Sequence, residues 1–338
     1  MAARSAIVCF GELLLRLNAP GRERLMQSPH FDAHVGGAEA NVAVSLAQFG
    51  ENARMATTFA DNALGAAALS ALRRYGVDIS ACRPAPGRMG LYFMSAGAVR
   101  RPSEILYDRA GSAFAEAPAA GYDWNAILKG ASWLHVSGIT PAIGPNAAQA
   151  ARDAARAARK LGVKLSFDGN YRAQLWAAWA GDGPAVLREI LSNATLAFVN
   201  ERDAALILGR DYRTGDIART QACADMFAAF PSLELIAATT RCQESVDDHT
   251  LGAEIVSRTG SARAPEISLR SVIDRIGAGD AFAAGVLYAL NNARELPFAV
   301  AFGAAAAALK HSISGDFNIA TAADIEAAMR GDGFDVRR

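Results

Sequence analysis

A chain of 338 residues, 51% hydrophobic and 20% charged, holds enough apolar material for a large folded core. Its 34 basic and 34 acidic side chains give a formal net charge of +0 without any block of like charge, which excludes an obvious nucleic-acid footprint and a polybasic membrane patch. The expected ligand is therefore small, and neither nucleic acid nor membrane is an expected partner.

Cys9, Cys82, Cys223 and Cys242 are scattered with no C-x-x-C spacing, so they read as reduced, buried thiols and not as a disulfide framework or a zinc knuckle. The opening MAARSAIVCFGELLLRL has too short an apolar run, broken by Glu12, for a secretion signal or a membrane span. A cytoplasmic location is the expectation.

Ala6 to Phe10 reads as a strand stopped by Gly11-Glu12, and Glu12 is the first polar candidate. A Pro-, Gly- and Arg-rich section follows. His30 and His34 are four apart but lack the glutamate of a metalloprotease helix, so they are not read as metal ligands. Gly36-Gly37-Ala38-Glu39-Ala40-Asn41 then opens an amphipathic helix that ends at Gly50. Glycines at a helix start permit close approach by a ligand, and Asn41 offers both a donor and an acceptor to a sugar hydroxyl; a plain turn and cap is the alternative. Thr57 to Ala60 reads as a strand, Leu64 to Tyr75 as a helix and Gly76-Val77-Asp78 as a turn.

Between Arg88 and Ala113 the texture changes. Leu91 to Ser95 and Ile105 to Arg109 read as a hairpin inserted into an α/β chain, a device that often serves as a lid. Tyr92, Tyr107 and Arg109 hang from it and suit a sugar with an acidic end, with ordinary sheet aromatics and a surface arginine as the alternative. Beyond it, Trp133 to Ser137, Val163 to Asp168, Leu196 to Val199 and Leu235 to Thr240 read as strands, and Asn146 to Leu161 as an alanine-rich helix. Asp168, Asn170 and Arg172 gather just past one strand, and Asn200 and Asp203 just past another, at the edge where α/β sheets place chemistry.

Late in the chain comes DRIGAGDAFAAGVLYAL, residues 274–290, a glycine turn that opens a helix. Turned amides and a helix dipole hold an anion, most often a phosphate. A carboxylate there, Asp280, repels that anion unless it has a task, such as taking the proton of a hydroxyl that attacks a phosphate. A capping aspartate at an ordinary helix start is the alternative. No glycine is followed by lysine, so there is no Walker A loop; the glycine spacing is wrong for a dinucleotide fingerprint, and Ser137 in HVSGI is not a nucleophile elbow.

The early G-G-x-x-x-N start, the late G-A-G-D start, the strand-end polar groups and the β lid together resemble the ribokinase-type (PfkB) carbohydrate kinases along nearly the whole chain. The resemblance implies an α/β ribokinase-like, three-layer αβα fold with a mostly parallel central sheet and a small β-strand lid. One kinase domain over residues 1–325 is expected, its lid built mainly from 88–113 and from part of 13–35, with a tail at 326–338. By the same resemblance Gly277, Ala278 and Gly279 form the anion hole and Asp280 is the general base. VGGAEANVAVSLAQFG, GLYF, YDRAGSAFA, HVSGITPAIGP, SFDGNYRAQLW and KHSISGDFN are most similar to family members acting on 2-keto-3-deoxy sugar acids. That implies ATP-dependent phosphorylation of the 6-hydroxyl of 2-keto-3-deoxygluconate, with Gly37, Asn41, Tyr92, Tyr107, Arg109, Asp168, Asn170 and Arg172 on the substrate. Fixed arginines at the acid end leave the primary hydroxyl at Asp280. A neutral hexose leaves Arg109 and Arg172 without an anionic partner. Fructokinase or another sugar kinase of the family, a non-catalytic sugar-binding sensor and an NAD-dependent oxidoreductase are the rival readings.

ATP is expected on Asn200, Thr240, Arg241, Gly252 and Gly277 to Gly279, with Mg²⁺ held indirectly, through water, by Asp203. Three departures stand out: Arg275 and Ile276 where small hydroxyl residues often precede the turn, Asp203 in place of a glutamate, and QESVDDHT in place of a compact glycine turn after Arg241. Lid strands with an exposed apolar face imply a homo-oligomer.

Overall fold

The computed structural model describes residues 5–212 and 215–331. In chain order its strands are β1 (Ala6–Phe10), β2 (Leu14–Asn18), β3 (Asp32–Gly36), β4 (Ala53–Ala60), β5 (Asp78–Ala85), β6 (Gly90–Ser95) and β7 (Glu104–Asp108). Then come β8 (Ala131–Ser137), β9 (Lys164–Asp168), β10 (Leu196–Phe198), β11 (Leu235–Gln243), β12 (His249–Ser257) and β13 (Ser261–Leu269).

Nine of them make one sheet in the order β13-β12-β11-β10-β9-β8-β1-β4-β5. Every pairing from β5 across to β11 is parallel; β12 and β13 add an antiparallel edge. The central parallel strands β1 and β10 are short apolar runs buried on both faces, as Ile7, Val8, Cys9 and Phe10 are in β1. Helices cover both sides. On one side lies Pro145–Leu161, whose Ala147, Ala151, Ala154 and Ala158 form a buried stripe at helical spacing, opened by Pro145 and closed by Gly162 in the left-handed region. On the other lie Ala38–Gln48, Ala278–Asn291 and Leu296–Lys310. The last two cross so closely that a Cβ on Gly285 would sit 2.7 Å from the Cα of Gly303. This is the three-layer ribokinase-like arrangement.

The remaining four strands form a separate sheet in the order β3-β2-β6-β7, with β6 and β7 an antiparallel pair and β2 parallel to β6. Its inner face carries Leu14, Tyr92 and Met94, packed against Ile105, Tyr107 and Ile276. The sheet thus lies over the turn that begins at Gly277.

Two stretches differ from the sequence reading. The turn at Gly76-Val77-Asp78 leads into β5, an edge strand whose Asp78, Ser80 and Arg83 hide the apolar alternation. The stretch after Thr240 is a regular hairpin: β11 continues to Gln243, a turn spans 244–248, and β12 pairs back residue for residue. Polar residues on one of its faces, Arg241 and Gln243, concealed the period. The helix Ala322–Arg330 spans residue 326, where the tail was expected to begin, and residues 332–338 lie outside the described residues. No helix among the described residues is long and apolar enough to cross a membrane.

Candidate active site

Two helix starts meet beneath the lid. At the first, Gly37 has φ 137°, and a Cβ there would lie 2.1 Å from the carbonyl oxygen of Glu12. At the second, Gly277 has φ 81°, and a Cβ would lie 2.1 Å from the carbonyl oxygen of Asp316. Both positions therefore require glycine. The helices touch through their first turns, where Asn41 Nδ2 donates to Asp280 Oδ2 over 2.6 Å.

Around this contact opens a cleft of about 400 Å³. Gly37, Asn41, Tyr92, Tyr107, Arg109, Asp168, Asn170, Arg172, Arg241, Gly277, Gly279 and Asp280 all line it. A second cleft of about 250 Å³ shares Asp168, Asn170, Arg172 and Gly279 with the first and adds Asn200, Asp203 and Thr239. Residues from the ends of β9, β10 and β11 thus join the two helix starts at the carboxyl edge of the sheet. Thr240 and Gly252 face each other across β11 and β12 and line neither cleft.

Around Gly277, three amides are available to a ligand. Those of Gly277, Gly279 and Asp280 have no backbone partner among the described residues, since the helix has no earlier turn to receive them. The Ala278 amide corrects the expectation for it: it closes the turn onto the Arg275 carbonyl at 3.3 Å. Burial pushes the Asp280 carboxyl up to about 7, helped by the charges of Glu39 and Asp316 and opposed by the Asn41 hydrogen bond and Arg172. A carboxylate so tuned is matched to proton abstraction near neutral pH.

Glu39, two residues before Asn41, is a residue whose role sequence reasoning missed. Its Oε1 accepts from the Ser137 amide, the Ser137 hydroxyl and the Thr140 hydroxyl at 2.8, 2.8 and 2.7 Å. Burial raises its pKa and these three donors lower it. The only foretaste is Gly11, where a Cβ would collide with Glu39 Oε2.

The substrate-side residues are held from behind. Glu12, buried, takes Arg109 Nε at 2.6 Å and the Ser112 hydroxyl at 2.5 Å. Arg109 therefore has an anionic partner within the protein, which corrects the argument that it needs a sugar acid to supply one. The Tyr92 hydroxyl donates to Asp316 Oδ2 at 2.7 Å, so its polar tip is spent on the protein and not on a ligand. Arg172 Nε donates to the Tyr107 hydroxyl at 3.2 Å and Nη1 to the Tyr171 carbonyl at 3.0 Å. Asn41 Oδ1 is buried and unpartnered, an open acceptor for a ligand hydroxyl. Asn170 has φ 33°, an uncommon backbone state for a residue on a cleft wall.

Beneath the Gly277 turn lies a buried ionic cluster. Arg16 pairs with Asp274 at 2.8 Å and Asp316 at 3.1 Å, while Asp274 accepts from the Ile276 and Gly315 amides. Lys310, fully buried, donates to the Ile313 carbonyl at 2.8 Å, with its Cε 3.3 Å from where a Gly277 Cβ would be. These contacts clamp the turn from both sides.

Asp168 and Asp203 present carboxylates at the second cleft. Burial pushes Asp168 well above the usual range, reinforced by Asp280 and Asp203, and burial also raises Asp203. Gathered acids of this kind favour a hard cation. No group of three His, Cys, Asp or Glu suited to a metal occurs among the described residues, but Mg²⁺ commonly takes one or two carboxylates and completes its shell with phosphates and water. The residues present fit that mode.

Residues 4–320 match the family model described as pfkB family carbohydrate kinase. A crystal structure of 2-dehydro-3-deoxygluconokinase from Thermotoga maritima aligns with a TM-score of 0.91 and 34% identity, covering 97% of this chain and 100% of that one. A 2-dehydro-3-deoxygalactonokinase of Haloferax volcanii is 28% identical over 96% of each chain. A 5-dehydro-2-deoxygluconokinase of Bacillus subtilis is 26% identical over 91% of each chain.

Proposed function

The chain belongs to the pfkB family of carbohydrate kinases, and we propose that it transfers the γ-phosphoryl group of ATP to the 6-hydroxyl of 2-keto-3-deoxygluconate or its galactonate epimer. The observation that carries this reading is Asp280, tuned to about 7, beside the unpaired amides of Gly277 and Gly279 in a cleft that also holds Arg109 and Arg172. The sugar acid lies under the lid with its carboxylate toward Arg109 and Arg172. Asn41 Oδ1 accepts from a sugar hydroxyl and Asn170 borders the chain of the sugar.

The hydroxyl oxygen attacks the γ-phosphorus, its proton passes to the Asp280 carboxylate, and ADP leaves. The Gly277 to Gly279 turn meets the charge on the phosphoryl oxygens, a role that suits fixed amides at a helix start. ATP extends into the second cleft by Asn200, along β11 near Arg241. Mg²⁺, when bound, screens the phosphates; Asp203, with Asp168 beside it, would hold it there.

Two guanidinium groups on the cleft wall, Arg109 and Arg172, favour an acidic sugar over a neutral hexose, even with Arg109 already paired to Glu12, because only one of its nitrogens is committed there. The test is ADP release over a panel of sugars and sugar acids. A clear preference for a 2-keto-3-deoxy acid is expected. Preference for fructose or another neutral hexose refutes the substrate assignment and leaves the kinase, and no ADP release with any sugar points to the sensor reading.

We also propose self-association through the lid. β3 and β7 are its edges, and Leu106 on β7 is 57% exposed. Sedimentation of the protein with Leu106→Lys is expected to give a smaller species than the unmodified chain.

A further inference from the structure

Arginines near the cleft differ in their partners, and Arg172 has hydrogen bonds to Tyr107 and Tyr171 without an ion pair. Arg16 pairs with Asp274 and Asp316, Arg22 with Asp247, Arg109 with Glu12 and Arg270 with Glu244. Arg241 and Arg275 have no ion pair and no side-chain hydrogen bond with any described residue. Both line the same cleft as Gly277, Gly279 and Asp280. Arg275 is two residues before the turn, and its carbonyl closes it; Arg241 projects from β11, the strand next to the second cleft.

The two guanidinium groups share that cleft. Burial and then the charge of Arg275 lower the Arg241 pKa. The neighbours offer no relief. His249 Nε2 and His311 Nε2 are 3.2 Å apart, and His311 Nδ1 faces the Ala307 carbonyl at 2.6 Å. With Nδ1–H donating there, a neutral His311 accepts at Nε2 from His249. Burial keeps both imidazoles below their ordinary range, His311 at about 4. Asp248, whose charge raises the His249 pKa, is already engaged by Ser245 and the Ser271 amide. Two cations lining one cleft with no ion pair among the described residues, in company with free helix-start amides, make a site for a polyanion.

We infer that Arg241 and Arg275 form a guanidinium pair that grips the nucleotide phosphates over the Gly277 turn and stabilises the phosphoryl group during its transfer. The inference rests on the kinase reading and adds Arg275 to it, in the place where a small hydroxyl residue was expected. The sugar carboxylate is the weaker claimant. With its 6-hydroxyl at Asp280, the sugar chain directs its acid end toward Arg109, away from the turn.

Calorimetric binding of ADP and of a non-hydrolysable ATP analogue, without sugar, tests the pair directly in Arg241→Ala, Arg275→Ala and the double variant. Each single change is expected to weaken analogue binding at least about tenfold and to lower kcat about a hundredfold, the scale for losing one donor to a transferring group. Sugar-acid affinity stays unchanged, and the thermal transition checks folding. Arg275→Lys is expected to recover binding more than turnover, since an ammonium keeps the charge and loses the fork. Analogue affinity and kcat within about twofold of the parent overturn the inference and leave the kinase reading standing. So does a loss confined to sugar affinity, which gives these arginines to the carboxylate. A parent protein that binds neither nucleotide overturns the kinase reading itself, and the inference with it.

Discussion

The helix starts at Gly37 and Gly277 solve the same steric problem in the same way and then diverge. Each glycine takes positive φ because a Cβ would come within 2.1 Å of a carbonyl oxygen from a distant segment. Each helix carries a carboxylate in its first turn, Glu39 in one and Asp280 in the other. Glu39 is saturated by three donors from Ser137 and Thr140, whereas Asp280 receives one hydrogen bond, from Asn41. A saturated buried carboxylate is a strut; an under-supplied one keeps its affinity for a proton. The difference between structural and chemical acids here lies in what the neighbouring strand ends donate.

Asp280→Asn breaks the comparison most severely. Turnover is expected to fall by at least about a hundredfold with sugar binding retained, the scale of a general base. The same change is expected to raise the melting temperature at pH 8. With a folded pKa near 7 against 3.8 unfolded, the unfolded chain gives up its proton first, so ionisation costs stability as pH rises through this window. Near-normal turnover, or a lower melting temperature at pH 8, contradicts the assignment.

Glu39→Ala comes next and strikes stability. It strands the Ser137 amide and two hydroxyls in the interior, and about 2 to 4 kcal/mol of folding free energy is expected to be lost, read by denaturant unfolding. Gly37→Ala and Gly277→Ala should both destabilise, and kinetics tell them apart. The first is expected to raise KM for the sugar, and the second to lower kcat, because only the Gly277 turn meets the transferring group. Equal effects on both constants would erase the distinction between the two starts.

How much of this was legible follows from sequence distance. The parallel strands and the alanine-rich helix Pro145–Leu161 announce themselves through local period and caps, and DRIGAGD announces the turn and its acid. What binds those pieces was not readable. Arg16 meets Asp316 across 300 residues, Glu12 meets Arg109 across 97, and Glu39 meets Thr140 across 101. A buried charge looks the same in sequence as a solvated one, so Arg109 was read as awaiting a ligand when Glu12 already held it. The hairpin of β11 and β12 was obscured for another reason: one of its faces is polar, and alternation with Arg241 and Gln243 reads as a loop.

The smallest effects are the most discriminating, because they have opposite signs. Asn41 donates to the ionised Asp280 and lowers its pKa; the Glu39 charge raises it. Asn41→Leu should therefore move the acidic limb of kcat/KM above its parent position near pH 7, with activities converging on the alkaline plateau once sugar KM is corrected for. Glu39→Gln keeps an oxygen for Ser137 and Thr140 but removes the charge, and should move the limb downward. A purely structural role for either residue would scale activity at every pH without moving the limb. Shifts in the same direction would mean that the titrating group is not Asp280, since no other acid on the cleft has Asn41 as a donor and Glu39 as a repelling neighbour among the described residues.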